Sequence, residues 1–145
     1  MRSPDWIQEL YIKDLMEKIP KHIIVVLDEA YAEYVMQKDY DKSFSLVDEF
    51  ENLIITRTFS KAYGLAGLRL GWCYSSKKVC NIINKVKGPF NTTSLAQNLA
   101  ILALKDQEHI DNVVKSNFEI KSWFENELKK LALKTRPSEG NFSFV

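Results

Sequence analysis

Hydrophobic residues recur along the chain with two different periods, which together predict alternating helices and strands. The helical period of 3.6 residues covers four segments: Ser3-Pro4 to Pro20, 77–86, 93–104 and 107–131. Short apolar runs predict strands at 23–27, 53–56 and 70–74, with the start of another at 141–145. The polar segment 36–48 is expected to form a loop with a short helix. Two large aromatic residues on the last helix are expected in the core or at a domain contact: Trp123 and Phe124.

The composition is that of an ordinary globular protein and excludes several function classes. The 145 residues are 46% hydrophobic and carry a net charge of +1, which gives no argument for nucleic acid or a membrane surface as partner. Cys73 and Cys80 lack the spacing of a disulfide framework, and His22 and His109 are too few and too scattered for a metal set. Neither a signal pattern nor a membrane-length apolar run is present, so a cytoplasmic location is expected.

The loop after the second predicted strand carries the most specific chemistry in the chain. It places the hydroxyls of Thr58 and Ser60 beside Lys61, and Arg69 follows eight residues after that lysine. A lysine amine can hold an aldehyde cofactor as a Schiff base, while serine and arginine can bind a phosphate. The loop therefore indicates a site for pyridoxal 5′-phosphate. Taken alone, a serine beside a lysine is more often ordinary solvated surface.

A carboxylate at the end of the first predicted strand supports the same interpretation. The run Ile23 to Leu27 is apolar and mostly β-branched, so we expect a strand of a parallel sheet that is buried on both faces. The carboxyl ends of such strands form the ligand crevice of open α/β sheets, which would bring Asp28 and Lys61 together. In that crevice Asp28 can keep a pyridine nitrogen protonated, and Tyr31 can offer a phenol to the ring hydroxyl. Considered singly, Asp28 is as well explained as a turn or capping residue.

Two longer motifs contain these residues and resemble a known family. LDEAYAEY (27–34) and TRTFSKAYGLAGLRLGW (56–72) are similar to the fold-type-I pyridoxal-phosphate aminotransferases, and among them to the histidinol-phosphate aminotransferases. Segments 88–97 and 139–145 extend the resemblance over about 7–145. It implies an α/β fold: part of a three-layer α/β/α, aspartate-aminotransferase-like large domain at 1–106. It also implies that 107–145 form the long interdomain helix and the start of the small α/β domain.

The resemblance also assigns roles to individual residues. Lys61 is implied to be the catalytic residue, which forms the Schiff base and moves protons during the reaction. The other implied cofactor contacts are Asp28 to the ring nitrogen, Tyr31 to the ring hydroxyl, and Thr58, Ser60 and Arg69 to the phosphate. No metal is implied.

The implied reaction is amino-group transfer in histidine biosynthesis by a homodimer. The favoured substrates are L-histidinol phosphate and 2-oxoglutarate, which would give imidazole acetol phosphate and glutamate. Two related alternatives are an aromatic amino-acid aminotransferase and a threonine-phosphate decarboxylase-like enzyme. A different class is an inactive fragment that acts only in folding or dimerisation, because the family's N-terminal arm, PNNPTG-like segment and carboxylate-binding arginine have no counterpart here. A nucleotide-binding domain is disfavoured, because the glycines at 64, 67 and 71 fit neither a P-loop nor GxGxxG.

Overall fold

The predicted alternation of helices and strands is confirmed in a computed structural model, which describes residues 9–36, 43–136 and 138–145. The described elements are α1 (Glu9–Lys18), β1 (Val25–Asp28), α2 (Ser43–Glu49), β2 (Leu53–Thr58), β3 (Gly71–Ser75), α3 (Lys77–Val86), α4 (Ser94–Lys105) and α5 (Gln107–Lys130). Short 3-10 helices cover Ala32–Tyr34 and Ala66–Leu68. The predicted helix start at Ser3-Pro4 and part of the predicted 36–48 loop lie outside the described residues.

The three strands form one mixed sheet in the order β1-β2-β3. β1 and β2 are parallel, with Asp28 opposite Thr56, whereas β2 and β3 are antiparallel, with Thr58 opposite Gly71. A Cβ atom at Gly71 would lie 2.8 Å from the backbone oxygen of Arg57, so only glycine lets β3 approach β2 at this point. The carboxyl ends of β1 and β2 therefore lie side by side, as the sequence predicts.

One face of the sheet, called here the covered face, packs against α1 and α2. Side chains alternate across a strand, so Leu53, Ile55 and Arg57 share this face of β2. Leu53 and Ile55 are fully buried. Their cluster also contains two residues of α1 and two of α2: Ile12, Met16, Leu46 and Val47. This cluster is the main apolar core of the described part of the chain.

The opposite face, called here the open face, corrects one prediction. The run at 23–27 was expected to be buried on both faces, but Ile24 and Val26 are 51% and 57% exposed. β1 is the edge strand of the described sheet and packs its covered-face residues Val25 and Leu27 against the core. An apolar run shows that a strand can be buried, but a second covering layer has to come from elsewhere in the fold.

The helices after the sheet begin at capping residues. The hydroxyl of Ser76 accepts from the amide of Val79 at 3.4 Å at the start of α3, and the hydroxyl of Thr93 accepts from the amide of Ala96 at 3.1 Å at the start of α4. Within the described ranges, no helix combines the length and the apolar character that crossing a membrane requires.

The structure corrects part of the predictions for the carboxyl-terminal part of the chain. Trp123 and Phe124 on α5 are 62% and 43% exposed, so they do not lie in the core of the described residues, and a domain contact stays a prediction. Residues 141–145 form no strand among the described residues, and Phe144 makes only an isolated bridge with Arg136. This segment is held instead by side chains of α5, because Asn117 and Lys121 donate to the carbonyl of Gly140.

Candidate functional site

Asp28, the last residue of β1, lies beside Thr56 of β2 on the open face, near the carboxyl edge of the sheet. The parallel register sets them opposite each other, and the Thr56 hydroxyl donates to Oδ1 of Asp28 at 3.1 Å. Asp28 is exposed to solvent. The threonine thus orients a carboxylate that remains accessible to a ligand at the strand end.

The Lys61 loop connects β2 to β3 and is tied down by its own backbone. The amide of Phe59 donates to the carbonyl of Leu70, and the amide of Leu65 donates to that of Phe59. A turn closes from the Gly64 amide to the Lys61 carbonyl, and the φ angle of +69° at Gly64 favours glycine there. Ala62, beside the lysine, is buried against Tyr34 and Ile110 of α5. The loop is therefore anchored while the Lys61 side chain is exposed.

Lys61 and Tyr31 come together in the fold although thirty residues separate them. The amine nitrogen of Lys61 lies 5.1 Å from the centre of the Tyr31 ring, within range of a cation–π contact. Phe142 meets the same ring edge-on at 5.1 Å, a contact that the sequence did not predict. Tyr31 follows the end of β1 by three residues, so the phenol, the amine and the Asp28 carboxylate belong to one edge of the sheet.

The predicted phosphate-binding residues lie at the two ends of the same loop. The Thr58 hydroxyl accepts from the Ser60 amide at 3.1 Å and lies 3.5 Å from the carbonyl of Leu70. Arg69 adopts a left-handed backbone with φ of +51°, and its Nη1 donates to the carbonyl of Ala66. The contact between Thr58 and the Leu70 carbonyl thus connects the two ends of the loop. The Arg69 guanidinium points toward the 3-10 helix Ala66–Leu68 that precedes it.

A buried ion-pair network lies on the covered face, beneath the carboxyl edge. Both Nη2 and Nε of Arg57 bind Oε2 of Glu29, at 2.7 and 2.9 Å, and Nη1 lies 3.6 Å from Oε1 of Glu33. The guanidinium also lies 5.0 Å from the centre of the Phe44 ring. The side chain of Glu29 is 4% exposed and that of Arg57 12%. The sequence analysis did not identify this network.

Burial perturbs the titration of three groups around this network. It raises the pKa of Glu33 above its ordinary value, and the neighbouring Arg57 charge opposes that shift only in part. Oε2 of Glu33 is buried with no hydrogen-bond partner among the described residues, consistent with this direction. Burial also raises the pKa of Tyr34 and of Tyr63, and the negative charge of Glu33 adds to both shifts.

The chemistry of the donor set fits pyridoxal 5′-phosphate. That group needs an amine for its aldehyde, an acid for its ring nitrogen, a phenol or amide for its ring hydroxyl, and donors for its phosphate. The carboxyl edge offers an accessible amine next to a phenol ring, an accessible carboxylate, and a loop with two hydroxyls and a guanidinium. In the part of the chain that the structure describes, no three side chains of the metal-ligating types are grouped to hold a metal ion.

Comparison with known proteins connects this geometry to named relatives. The sequence profile of the family described as "Aminotransferase class I and II" matches residues 8–145. Histidinol-phosphate aminotransferase 2 of Haemophilus influenzae (strain 86-028NP) is 44% identical over 131 residues, which are 90% of this chain and 36% of that protein. The histidinol-phosphate aminotransferase of Akkermansia muciniphila is 42% identical over 134 residues, 92% of this chain and 36% of that protein.

A solved structure agrees with the sequence relatives. The histidinol-phosphate aminotransferase of Sinorhizobium meliloti, solved in complex with pyridoxal-5′-phosphate, superposes with a TM-score of 0.89 at 29% identity. The match covers 95% of this chain and 37% of that one. This chain thus spans a little over a third of the length of the relatives it matches.

Proposed function

This chain belongs to the class I and II aminotransferases, and from that premise we propose that it carries the cofactor-binding core of a pyridoxal-phosphate-dependent enzyme. The proposed reaction transfers the amino group of L-histidinol phosphate to 2-oxoglutarate, giving imidazole acetol phosphate and glutamate. The names of the relatives at 42–44% identity support this choice of substrate. The observation that carries the proposal is the position of the Lys61 amine over the Tyr31 ring, at the edge where Asp28 ends β1.

Each site residue has a defined task in this proposal. When bound, pyridoxal phosphate supplies an aldehyde carbon for covalent attachment and a pyridinium ring that withdraws electrons from the substrate. Nζ of Lys61 would hold that carbon and, once released from it, would move the proton of the substrate Cα to the former aldehyde carbon. The carboxylate of Asp28, oriented by Thr56, keeps a proton on the ring nitrogen. The phenol of Tyr31 donates to the ring hydroxyl.

The phosphate is proposed to bind at the ends of the Lys61 loop. The hydroxyls of Thr58 and Ser60 offer hydrogen bonds, and the guanidinium of Arg69 offers charge and a bidentate geometry. In this arrangement Arg69 exchanges its contact with the Ala66 carbonyl for the anion, which its exposed position allows.

The domain arrangement is part of the same proposal. Residues 1–106 would belong to the large domain, and 107–145 would form the long interdomain helix and the start of the small domain of a homodimer. The single long helix α5, which contacts the 3-10 turn after Tyr31 at one end and carries exposed Trp123 at the other, supports this division.

Covalent trapping tests the central assignment. The chain is incubated with pyridoxal phosphate and reduced with borohydride, and the modified lysine is mapped by peptide mass spectrometry. We expect a visible absorbance band before reduction and a stable adduct on Lys61. Lys61→Ala should abolish both, whereas Lys85→Ala, a matched loss of an exposed lysine on α3, should leave both unchanged. An adduct on Lys85 or Lys87 in the unaltered chain would show that the assignment is wrong.

A genetic test addresses the substrate. The 145 residues alone are expected to be inactive, so the test uses a gene that joins this chain to the remaining segments of its relatives. That gene should restore growth without histidine to a bacterial strain that lacks histidinol-phosphate aminotransferase. Rescue of a strain that lacks aromatic aminotransferases, without rescue of the histidine auxotroph, would favour the aromatic alternative. The Lys61→Ala gene is the control, because it should rescue neither strain.

A further inference from the structure

Arg57 is buried at the carboxyl edge without belonging to the cofactor site, and we propose that it is a positioning residue for that site. Through Glu29 and Glu33 it holds the end of β1 and the 3-10 turn after Tyr31 against the end of β2. The spacing between the Asp28 carboxylate and the Lys61 loop then depends on this network. The inference rests on the proposed function, because it concerns the geometry of the same site.

Arg57 lies between the two residues of β2 that contact the site. Thr56, on one side, orients Asp28, and Thr58, on the other, accepts from the Ser60 amide next to Lys61. Both threonines face the open side of the sheet, whereas Arg57 faces the covered side. A shift of the backbone at Arg57 would therefore displace both contacts together.

The partners of Arg57 hold the other elements of the site. Glu29 is the residue after Asp28, and its amide donates to the carbonyl of Thr56 at 2.9 Å. Oε2 of its side chain accepts from Nε of Arg57 at 2.9 Å and lies 2.7 Å from Nη2, so one carboxylate oxygen faces one edge of the guanidinium. Glu33 lies in the turn that follows Tyr31, whose ring contacts the Lys61 amine. One guanidinium thus connects the elements that carry Asp28, Tyr31 and Lys61.

Packing beneath the network restricts its movement. The guanidinium lies on the Phe44 ring, which in turn stacks on Trp72 and meets Tyr74 edge-on. Trp72 stands opposite Arg57 in the β2–β3 register. The aromatic cluster restricts movement of the guanidinium. The Arg57 network would therefore keep the Asp28 carboxylate and the Lys61 loop at a constant spacing.

The proposal differs from a purely stabilising ion pair in what it predicts for Arg57→Lys. Lysine keeps the positive charge next to Glu29. It has one nitrogen where arginine places two beside the carboxylate, and it has no planar group to lie on the Phe44 ring. Val47→Ala is the control, because it loosens the same core on α2 without altering a charge. A purely stabilising pair would make the two variants equivalent once their overall stabilities are matched by denaturant.

The first readout is amide hydrogen exchange in the 145-residue chain without cofactor. At matched stability, Arg57→Lys should speed exchange at Phe59 and Leu65, the bonded amides of the Lys61 loop, at least tenfold relative to Ile55 in the sheet centre. Val47→Ala should change this ratio less than twofold. Equal ratios in the two variants would overturn the proposal. If Arg57→Met folds, it should raise the exchange ratio further than Arg57→Lys does. If it does not fold, the ratio in Arg57→Lys alone tests the proposal.

The second readout is the spectrum of the chain loaded with pyridoxal phosphate. Arg57→Lys should release the cofactor at least tenfold faster and shift the pH midpoint of the absorbance band, whereas Val47→Ala should do neither. The double variant Glu29→Gln with Arg57→Met should lose no more than Arg57→Met alone, because both changes break one contact. If the unaltered chain forms no adduct on Lys61, the proposed function fails, and the exchange ratio still decides the role of Arg57.

Discussion

The two faces of the sheet end in opposite ways at the same edge. On the covered face, Glu29 directly after β1 and Arg57 near the end of β2 are buried and bound to each other. On the open face, Asp28 ends β1 opposite Thr56 of β2, and its carboxylate is exposed and accepts a hydrogen bond from the Thr56 hydroxyl. The two carboxylates are neighbours in sequence, yet one is a buried structural group and the other is accessible to a ligand.

The alternation of side chains along a strand produces this difference. A buried charge must be paired, so the carboxylate on the covered face is committed to Arg57. A charge on the open face stays hydrated until a ligand replaces the water. The Asp28 carboxylate can therefore still accept a hydrogen bond from a cationic ligand such as a pyridinium. One strand end therefore carries both a buried ion pair and an accessible carboxylate.

The largest expected effect compares apolar residues on the two faces. Leu53→Ala on the covered face should lower the free energy of unfolding by about 2–5 kcal/mol, because it leaves a cavity in a fully buried cluster. Val26→Ala on the open face should cost less than about 1 kcal/mol, because that side chain is already exposed. Urea unfolding measures both. Similar losses for the two variants would mean that the open face is covered in solution.

The adjacent carboxylates provide the sharpest contrast. Glu29→Gln should lower the free energy of unfolding by about 3 kcal/mol, because it leaves the buried Arg57 charge less compensated. Asp28→Asn should change that free energy by less than about 0.5 kcal/mol, because the side chain is exposed. In an enzyme that joins this chain to the remaining segments of its relatives, the same change should nevertheless reduce transamination about 100-fold, since an amide cannot balance a pyridinium charge. Near-normal turnover by Asp28→Asn would contradict its proposed role.

The open face should also govern association. The isolated 145-residue chain exposes Ile24 just before β1, Val26 on β1 and Trp123 on α5, so we expect it to be oligomeric or poorly soluble. We also expect it to be inactive even with pyridoxal phosphate added. In light scattering, Val26→Lys should shift it toward the monomer, whereas Asn81→Lys, with the same added charge on α3, should not. A stable, fully active monomer would contradict this prediction.

The smallest expected effect is a pH dependence on the covered face. Burial raises the pKa of Glu33 above 4.5, so the folded chain keeps its proton to higher pH than the unfolded chain does. The contribution of Glu33 to stability is therefore complete below pH 4.5 and is lost as the pH rises through the folded pKa. Glu33→Gln cannot ionise, so its stability relative to the unaltered chain should increase over that interval.

Urea unfolding at a series of pH values measures this trend. Glu127→Gln on α5, which also removes one carboxylate, corrects for the change in net charge. A difference between Glu33→Gln and the unaltered chain that stays constant with pH would show that burial does not raise the pKa of Glu33.

The sequence predicted the open-face site better than the covered-face network. Asp28 directly follows one apolar run and Lys61 lies six residues after another, so their positions at a strand end and in the following loop can be inferred from local pattern. Arg57 lies in the same motif as Lys61, and the motif was interpreted through the lysine. The role of Arg57 depends on Glu29, which is 28 residues away in the sequence. The alternation of side chains along a strand could have revealed the pair. Leu53, Ile55 and Arg57 share one face of β2, and Glu29 continues the same face of the sheet beyond β1.

Other differences arose because burial and pairing depend on more than local sequence. The run at 23–27 has the composition of a doubly buried strand, but composition does not determine whether both faces receive a covering layer. The predicted strand at 141–145 has suitable residues but forms one isolated bridge in the described structure. By contrast, the Ser76 cap was predictable because its partner amide lies three residues away.

The mixed topology of the sheet has a consequence for the order of folding. β2 and β3 are joined by the Lys61 loop, so their pairing closes a short loop, whereas Asp28 and Thr56 meet across 28 residues. Shorter closures cost less chain entropy and form sooner. Pulse-labelling hydrogen exchange should therefore protect the Phe59 amide before the Glu29 amide, which bonds across β1 and β2. During refolding, the Lys61 loop would then form before Asp28 reaches its position beside Thr56.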